Sequence, residues 1–121
     1  MEMLERIRKE REAQLNTYGW TAEHDDTHVD GELAMAAALY ATPEPMFVMR
    51  RNADNLCFED AWPFDDADKR SRGLDNELLP ASKINYHKRM QDLVQAGALI
   101  VAELERLQRR LKHMEELYKP Q

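Results

Sequence analysis

A single cysteine, Cys57, among 121 residues excludes an intramolecular disulfide framework and disfavours zinc ribbons and fingers, which need several cysteines or Cys/His pairs at close spacing. No apolar run approaches the ~20 residues that cross a bilayer. The N-terminus, MEMLERIRKERE, is charged where a signal peptide carries its apolar stretch. These absences lead to the expectation of a cytoplasmic protein in a reducing compartment. Glycine-rich phosphate loops, nucleophile elbows and HExxH zinc-protease motifs are also missing, which disfavours P-loop chemistry and acyl transfer. Positive charge is scarce: 17 basic residues face 23 acidic ones, a formal −6, which opposes counterion-release binding to nucleic acid. An acidic chain can still hold a phosphate ligand, through a few local arginines or through a divalent metal on carboxylates. Composition favours the second route.

What is present reads as a single helical domain over residues 1–121, of the all-α class. Leu4, Ile7, Leu15 and Tyr18 recur at helical spacing among charged residues and predict a helix over 3–18, stopped by Gly19 with Trp20 as an apolar plug. Asp30 is placed to cap a second helix, with Glu32 in its first turn and Leu33, Ala36, Ala37 and Tyr40 on one face. Its alanines permit close approach by a neighbour, and Pro43 and Pro45 stop it. From 42 to 80 no period is sustained. Met46-Phe47-Val48-Met49 fits a short strand or one helical turn, and Phe58, Trp62 and Phe64 mix with Glu59, Asp60, Asp65, Asp66 and Asp68. A loop this long inside a small domain suggests a lid or flap pinned by its aromatics. The last helix, 82–117, lacks internal proline. Leu93, Gly97, Ile100, Leu104, Leu107, Leu111 and Met114 fall on a heptad seam. The run from Ala96 to Ala102 is apolar nearly all round and reads as core, whereas the charged stretch from Glu103 leaves only the seam apolar. A helix this long outreaches a domain of this size, so the expected partner is a second copy of the chain.

Two sets of residues carry candidate chemistry. Between Glu23 and Glu32 five carboxylates and two histidines crowd into ten residues, beside Trp20. Trp20, His24, Asp25, Asp26 and His28 are therefore the candidate ligand-binding residues: oxygens for a hard cation, imidazoles for a transition metal, an indole for a base or ring. The competing reading is a solvated helix connection that contributes caps. On the long helix, Asp92 and Glu103 are eleven residues apart, nearly three turns, and so lie close to one face. The competing reading is that both are ordinary exposed acids. His87 and His113 read as surface residues. Arg50 with Arg51, and Lys69-Arg70 with Arg72, read as solvated loop charges or as phosphate grips.

The segments Glu10-Arg11-Glu12-Ala13-Gln14, Gly19 to Asp26, Gly31-Glu32-Leu33-Ala34 and the run from Asp92 to Leu107 together resemble a group of small proteins encoded by bacteriophages and prophages. Gly31 to Ala34 and the run from Asp92 also resemble the acid-bearing helices of all-α MazG-like nucleoside triphosphate pyrophosphohydrolases. That resemblance implies an obligate oligomer with Glu32 and Asp92 as magnesium ligands. The family's paired acids at ExxE spacing are missing, because Glu32 is preceded by Val29 and followed by Met35. Gly19-Trp20-Thr21 with Asp25-Asp26, and then Leu79 to Lys83 and Gly97, is similar to ryanodine-receptor-type repeat domains, which implies a nucleotide-derived ligand that is bound and not cut.

These lines converge on a phage-type protein, in the cytoplasm of an infected or lysogenic bacterium, that captures a nucleotide or nucleotide-derived signal, with countering host defence as its purpose. Two alternatives stand beside it. One is a magnesium-dependent pyrophosphohydrolase using Glu32, Asp92 and Glu103. The other is an acidic protein–protein inhibitor of a host factor.

Overall fold

The computed structural model describes residues 2–64 and 68–119. Four helices and one hairpin follow in the order α1 (Met3–Asn16), α2 (Ala22–Asp26), α3 (Glu32–Ala41), β1 (Phe47–Asn52), β2 (Asn55–Asp60) and α4 (Tyr86–Leu117), with a 3-10 turn at Ala81–Lys83 before α4. The expectation of an all-α fold is thereby corrected: the fold is dominated by helix but mixed, with a two-stranded antiparallel sheet.

The hairpin arises where the helical period fails. Phe47 pairs with Asp60, Met49 with Phe58 and Arg51 with Leu56, so Phe47, Met49, Leu56 and Phe58 share one face, and Arg50, Cys57 and Glu59 the other. Arg50 ion-pairs with Glu59 at 2.6 Å on that second face. Ala53 turns the chain with φ +55°, a left-handed conformation that a side chain makes costly. No Asn-Gly or Asp-Gly marks the turn, so the sequence gives little warning of it.

α1 begins on Glu2, whose carboxylate accepts from the amides of Leu4 at 2.9 Å and Glu5 at 3.2 Å. Its last helical residue is Asn16, two short of the expected end, and the chain turns off at Gly19 with φ +72°, where the Trp20 amide donates back to the Gln14 carbonyl at 2.8 Å. α3 begins differently from expectation. Gly31, with φ +83°, occupies the cap position and makes no side-chain bond. The Glu32 carboxylate instead reaches back to accept from the Asp30 amide at 2.7 Å, leaving Asp30 without the capping role.

Leu33, Ala36, Ala37 and Tyr40 of α3 pack on Ala96, Leu99 and Ala102 of α4, and Trp20 joins them; Tyr18, Ala41, Trp62 and Phe64 pack around this core. Small residues on both helices bring the backbones together, while Leu33 and Leu99, both fully buried, each contribute about 2 kcal/mol of burial. The helices run antiparallel, with Arg89 of α4 donating to the last carbonyls of α3, those of Tyr40, Ala41 and Thr42.

The middle segment is anchored by a buried arginine rather than by aromatics alone. Arg70 holds Asp60 and Asp68, each at 2.7 Å, and lies over the Trp62 ring. Arg72 also reaches Asp68, at 2.6 Å, and the Lys69 amide donates to the Tyr40 hydroxyl at 3.0 Å. Asp65 and Asp66 lie outside the described residues.

α4 has 32 residues and so extends about 48 Å. Of the expected seam, Leu93, Ile100, Leu104, Leu107, Leu111 and Met114 are exposed on this chain. Gly97 departs from it: an added Cβ there would meet Ile7 Cδ1 at 2.9 Å, so α1 already covers this position. No helix among the described residues is long and apolar enough to cross a membrane.

Candidate functional site

The polar connection between α1 and α3 is where the chain departs furthest from ordinary packing. Thr21 caps α2 by accepting from the His24 amide at 3.3 Å, and this short helix turns Asp25 inward. A segment this charged reads as surface, yet Asp25 is fully buried. It is held there by Arg11, whose Nη2 donates to Asp25 Oδ2 at 2.9 Å, while Arg11 Nε donates to Glu105 Oε1 at 2.8 Å and Nη1 to Gln14 Oε1 at 3.3 Å. One guanidinium thus ties α1, α2 and α4 together. No sequence pattern marked Arg11 or Glu105 for this role, because the pairing joins residues 94 positions apart.

On the other oxygen of Asp25 begins a chain of side chains. His24 Nδ1 lies 3.0 Å from Asp25 Oδ1, His28 Nδ1 lies 3.0 Å from Glu32 Oε2, and the two Nε2 atoms face each other at 3.4 Å. Aromatic rings wall this chain. Trp20 stacks on His24 with centroids 5.6 Å apart and planes 9° apart, and Phe64 meets His28 edge-on at 4.8 Å. Burial disfavours ionisation of Glu32, but the hydrogen bonds from His28 and the Asp30 amide outweigh it and hold this carboxyl below its ordinary pKa.

Asp26 faces the opposite way. It accepts from Arg109 Nη2 at 2.8 Å and Nε at 3.2 Å, an attraction that outweighs partial burial and raises the guanidinium pKa. Asp26 and Val29 form one wall of a cleft of about 650 Å³ whose other wall is Arg106, Arg109, Arg110 and His113 of α4. With Arg109 paired to Asp26 and Arg106 to Glu103, Arg110 leaves this lining a small positive excess in an otherwise acidic protein. The charged tail of α4 reads as a solvated face in the sequence, and only the fold sets its arginines opposite Asp26.

The ligand-binding set therefore divides. Trp20 lies in the core under His24, Asp25 is engaged by Arg11, His24 and His28 face each other, and Asp26 borders the cleft. The candidate metal set is not gathered at one point. Glu32 sits at the start of α3 with His28. Asp92 is buried near the other end of that helix, beside Tyr40 and Arg89, and accepts from the Ser71 hydroxyl and amide; desolvation dominates these bonds and raises its pKa. A ten-residue helix, about 15 Å long, separates the two acids. Glu103 pairs with Arg106 at 2.6 Å, and its Oε2 is buried with no hydrogen-bond partner among the described residues. Among the described residues, no three or more His, Cys, Asp or Glu side chains are arranged to hold a metal ion. Of the loop cations, Arg50, Arg70 and Arg72 are committed to carboxylates.

No family model, curated protein or solved structure matches the chain.

Proposed function

We propose that the protein binds a phosphate-bearing small molecule, a nucleotide or nucleotide-derived signal, with the phosphates against Arg106, Arg109, Arg110 and His113. The observation that carries this reading is the net-positive cleft beside the histidine-rich connection; its size lies within the ~300–1,000 Å³ range of small-molecule sites. Guanidiniums suit phosphate because their planar donors match its oxygens in pairs. Asp26, now paired with Arg109, acts as a placeholder that an incoming anion displaces. In the phage setting that the resemblance implies, capturing such a signal would counter host defence. The exposed seam from Leu104 to Met114 supports assembly of two or more copies through α4.

The acidic-inhibitor alternative has less support, because Asp60 and Asp68 are engaged by Arg70 and do not present bare carboxylates. Calorimetry with mono-, di- and cyclic nucleotides, with and without magnesium, tests the proposal. Saturable binding that is lost in the double variant R109A/R110A is expected. No heat and no thermal shift with any of them would refute it, and pyrophosphate release from a triphosphate would move the assignment to the pyrophosphohydrolase.

A further inference from the structure

The facing imidazoles of His24 and His28 raise a separate question of bonding. A neutral imidazole has one N–H and one lone pair. Each Nδ1 lies 3.0 Å from a carboxylate oxygen, of Asp25 for His24 and of Glu32 for His28, so each Nδ1 carries the proton and donates it. With both rings neutral, both Nε2 atoms are then acceptors, and they face each other at 3.4 Å with no proton between them. Two lone pairs in that position repel. The separation is also longer than the 2.7–3.2 Å or so of a good nitrogen hydrogen bond. It does equal the bite of a chelate: with metal–nitrogen bonds of about 2.05 Å at a tetrahedral angle, two ligating nitrogens stand about 3.3–3.4 Å apart.

We propose that His24 and His28 are a bidentate site for a borderline divalent metal of the zinc class, ligated through both Nε2 atoms. The surroundings match what such ligands need. A carboxylate on the far nitrogen of each imidazole fixes the tautomer and raises ligand basicity, and here each histidine has its own. Trp20 stacked on His24 and Phe64 edge-on to His28 hold the ring planes. The side chains are 32% and 20% exposed, so an ion can reach them. Two protein nitrogens leave the remaining positions to water or to an anionic oxygen. Imidazole ligands select zinc, copper, nickel or cobalt over magnesium. The site does not depend on the nucleotide reading, since the bonding argument concerns His24 and His28 alone.

Calorimetry of untagged protein with zinc chloride in a non-chelating buffer tests the proposal. One ion per chain with a micromolar midpoint is expected. Binding should survive H87A/H113A, which removes the two other histidines, and vanish in H24A and in H28A. Should either of those variants unfold, E32Q serves in its place: it keeps both ligands but loses the carboxylate behind His28, and should weaken zinc roughly 10- to 100-fold while retaining its circular dichroism. Copper(II) provides a second readout, quenching Trp20 fluorescence through the stacked His24 ring at the same stoichiometry. Absence of saturable zinc binding, or binding lost with His87 and His113 but kept without His24 and His28, would overturn the assignment.

Discussion

Replacing Arg11 with alanine should be among the most damaging single changes in the chain. Its guanidinium is 7% exposed, and its partner Asp25 is fully buried. Removing the arginine leaves Asp25 with His24 as its one remaining ion-pair partner among the described residues, and cuts the tie to Glu105 and Gln14. Stripping one partner from a buried pair costs about 3–5 kcal/mol, because the survivor keeps its desolvation penalty without its compensation. At about 4 °C per kcal/mol for a domain of this length, the expected fall in Tm is about 12–20 °C. Asp25→Ala should cost less, since Arg11 retains Glu105 at 2.8 Å and Gln14. The double variant should then lie close to R11A alone, giving a coupling energy of at least about 2 kcal/mol in a double-mutant cycle. Urea unfolding followed by circular dichroism, at one fixed protein concentration so that assembly does not shift the midpoint, measures all three. A cost below about 1 kcal/mol for R11A, or additive effects, would show that the pair is not the buried anchor described above.

Other consequences are simpler to check. Ala53→Gly relieves a left-handed residue at the hairpin turn, φ +55°, and should slow amide hydrogen exchange across β1 and β2 in proportion to a gain of about 1 kcal/mol. Stability should fall in acid. Burial opposes ionisation of Asp68, but the hydrogen bonds from Arg70 and Arg72 outweigh it and lower its pKa, as those from His28 and the Asp30 amide do for Glu32. A lowered folded value means stability that is present above the ordinary carboxylate pKa of about 4 and is lost as pH falls through the folded one. Chemical denaturation between pH 7 and pH 3 should show that loss, and D68N should flatten it. Asp92 has the opposite sign: desolvation raises its pKa, so D92N should leave stability at pH 7 unchanged or higher. On the proposed pairing of copies through α4, Leu104→Lys with Leu111→Lys, both at exposed seam positions, should leave single chains in sedimentation without changing the helical signal.

Local pattern made much of the helical frame legible. The stop at Gly19 and the buried face of α3 are short-range consequences of glycine and of a 3.6-residue period, and both appear where the sequence places them. α2 was hidden, since one alanine followed by four charged and polar residues makes no apolar stripe to betray a helix. Of the hairpin, the first strand was one of two readings of Met46 to Met49 and the second was hidden, because Phe47, Met49, Leu56 and Phe58 are exposed and joined by a turn without the usual glycine. At the site, proximity in sequence identified His24, Asp25 and His28 as neighbours. It could not reveal that Arg11 reaches Asp25 with Glu105 behind it, or that Arg109 reaches Asp26, because those distances are set by how α1 and α4 pack. Glu32 and Asp92 illustrate the converse: two acids grouped by resemblance prove to sit at opposite ends of α3.

The burial of Asp25 is costly in a way that packing alone does not require. A fully buried carboxylate with its arginine could be replaced by apolar side chains of similar volume at little or no loss of stability, since the desolvation of two ions about cancels their attraction. What an apolar replacement could not do is hold the proton on His24 Nδ1, or orient that ring against Trp20 so that Nε2 faces His28. Glu32 does the same for His28 while serving as the first residue of α3. Two carboxylates, one within α2 and one opening α3, thus fix two imidazoles against each other, and a third, Asp26, ties α2 to the arginine face of α4. The polar network fixes ring orientation and tautomer, properties that matter for ligating or transferring charge and add nothing to core stability. That asymmetry is the physical reason to seek the protein's chemistry in the connection between α1 and α3.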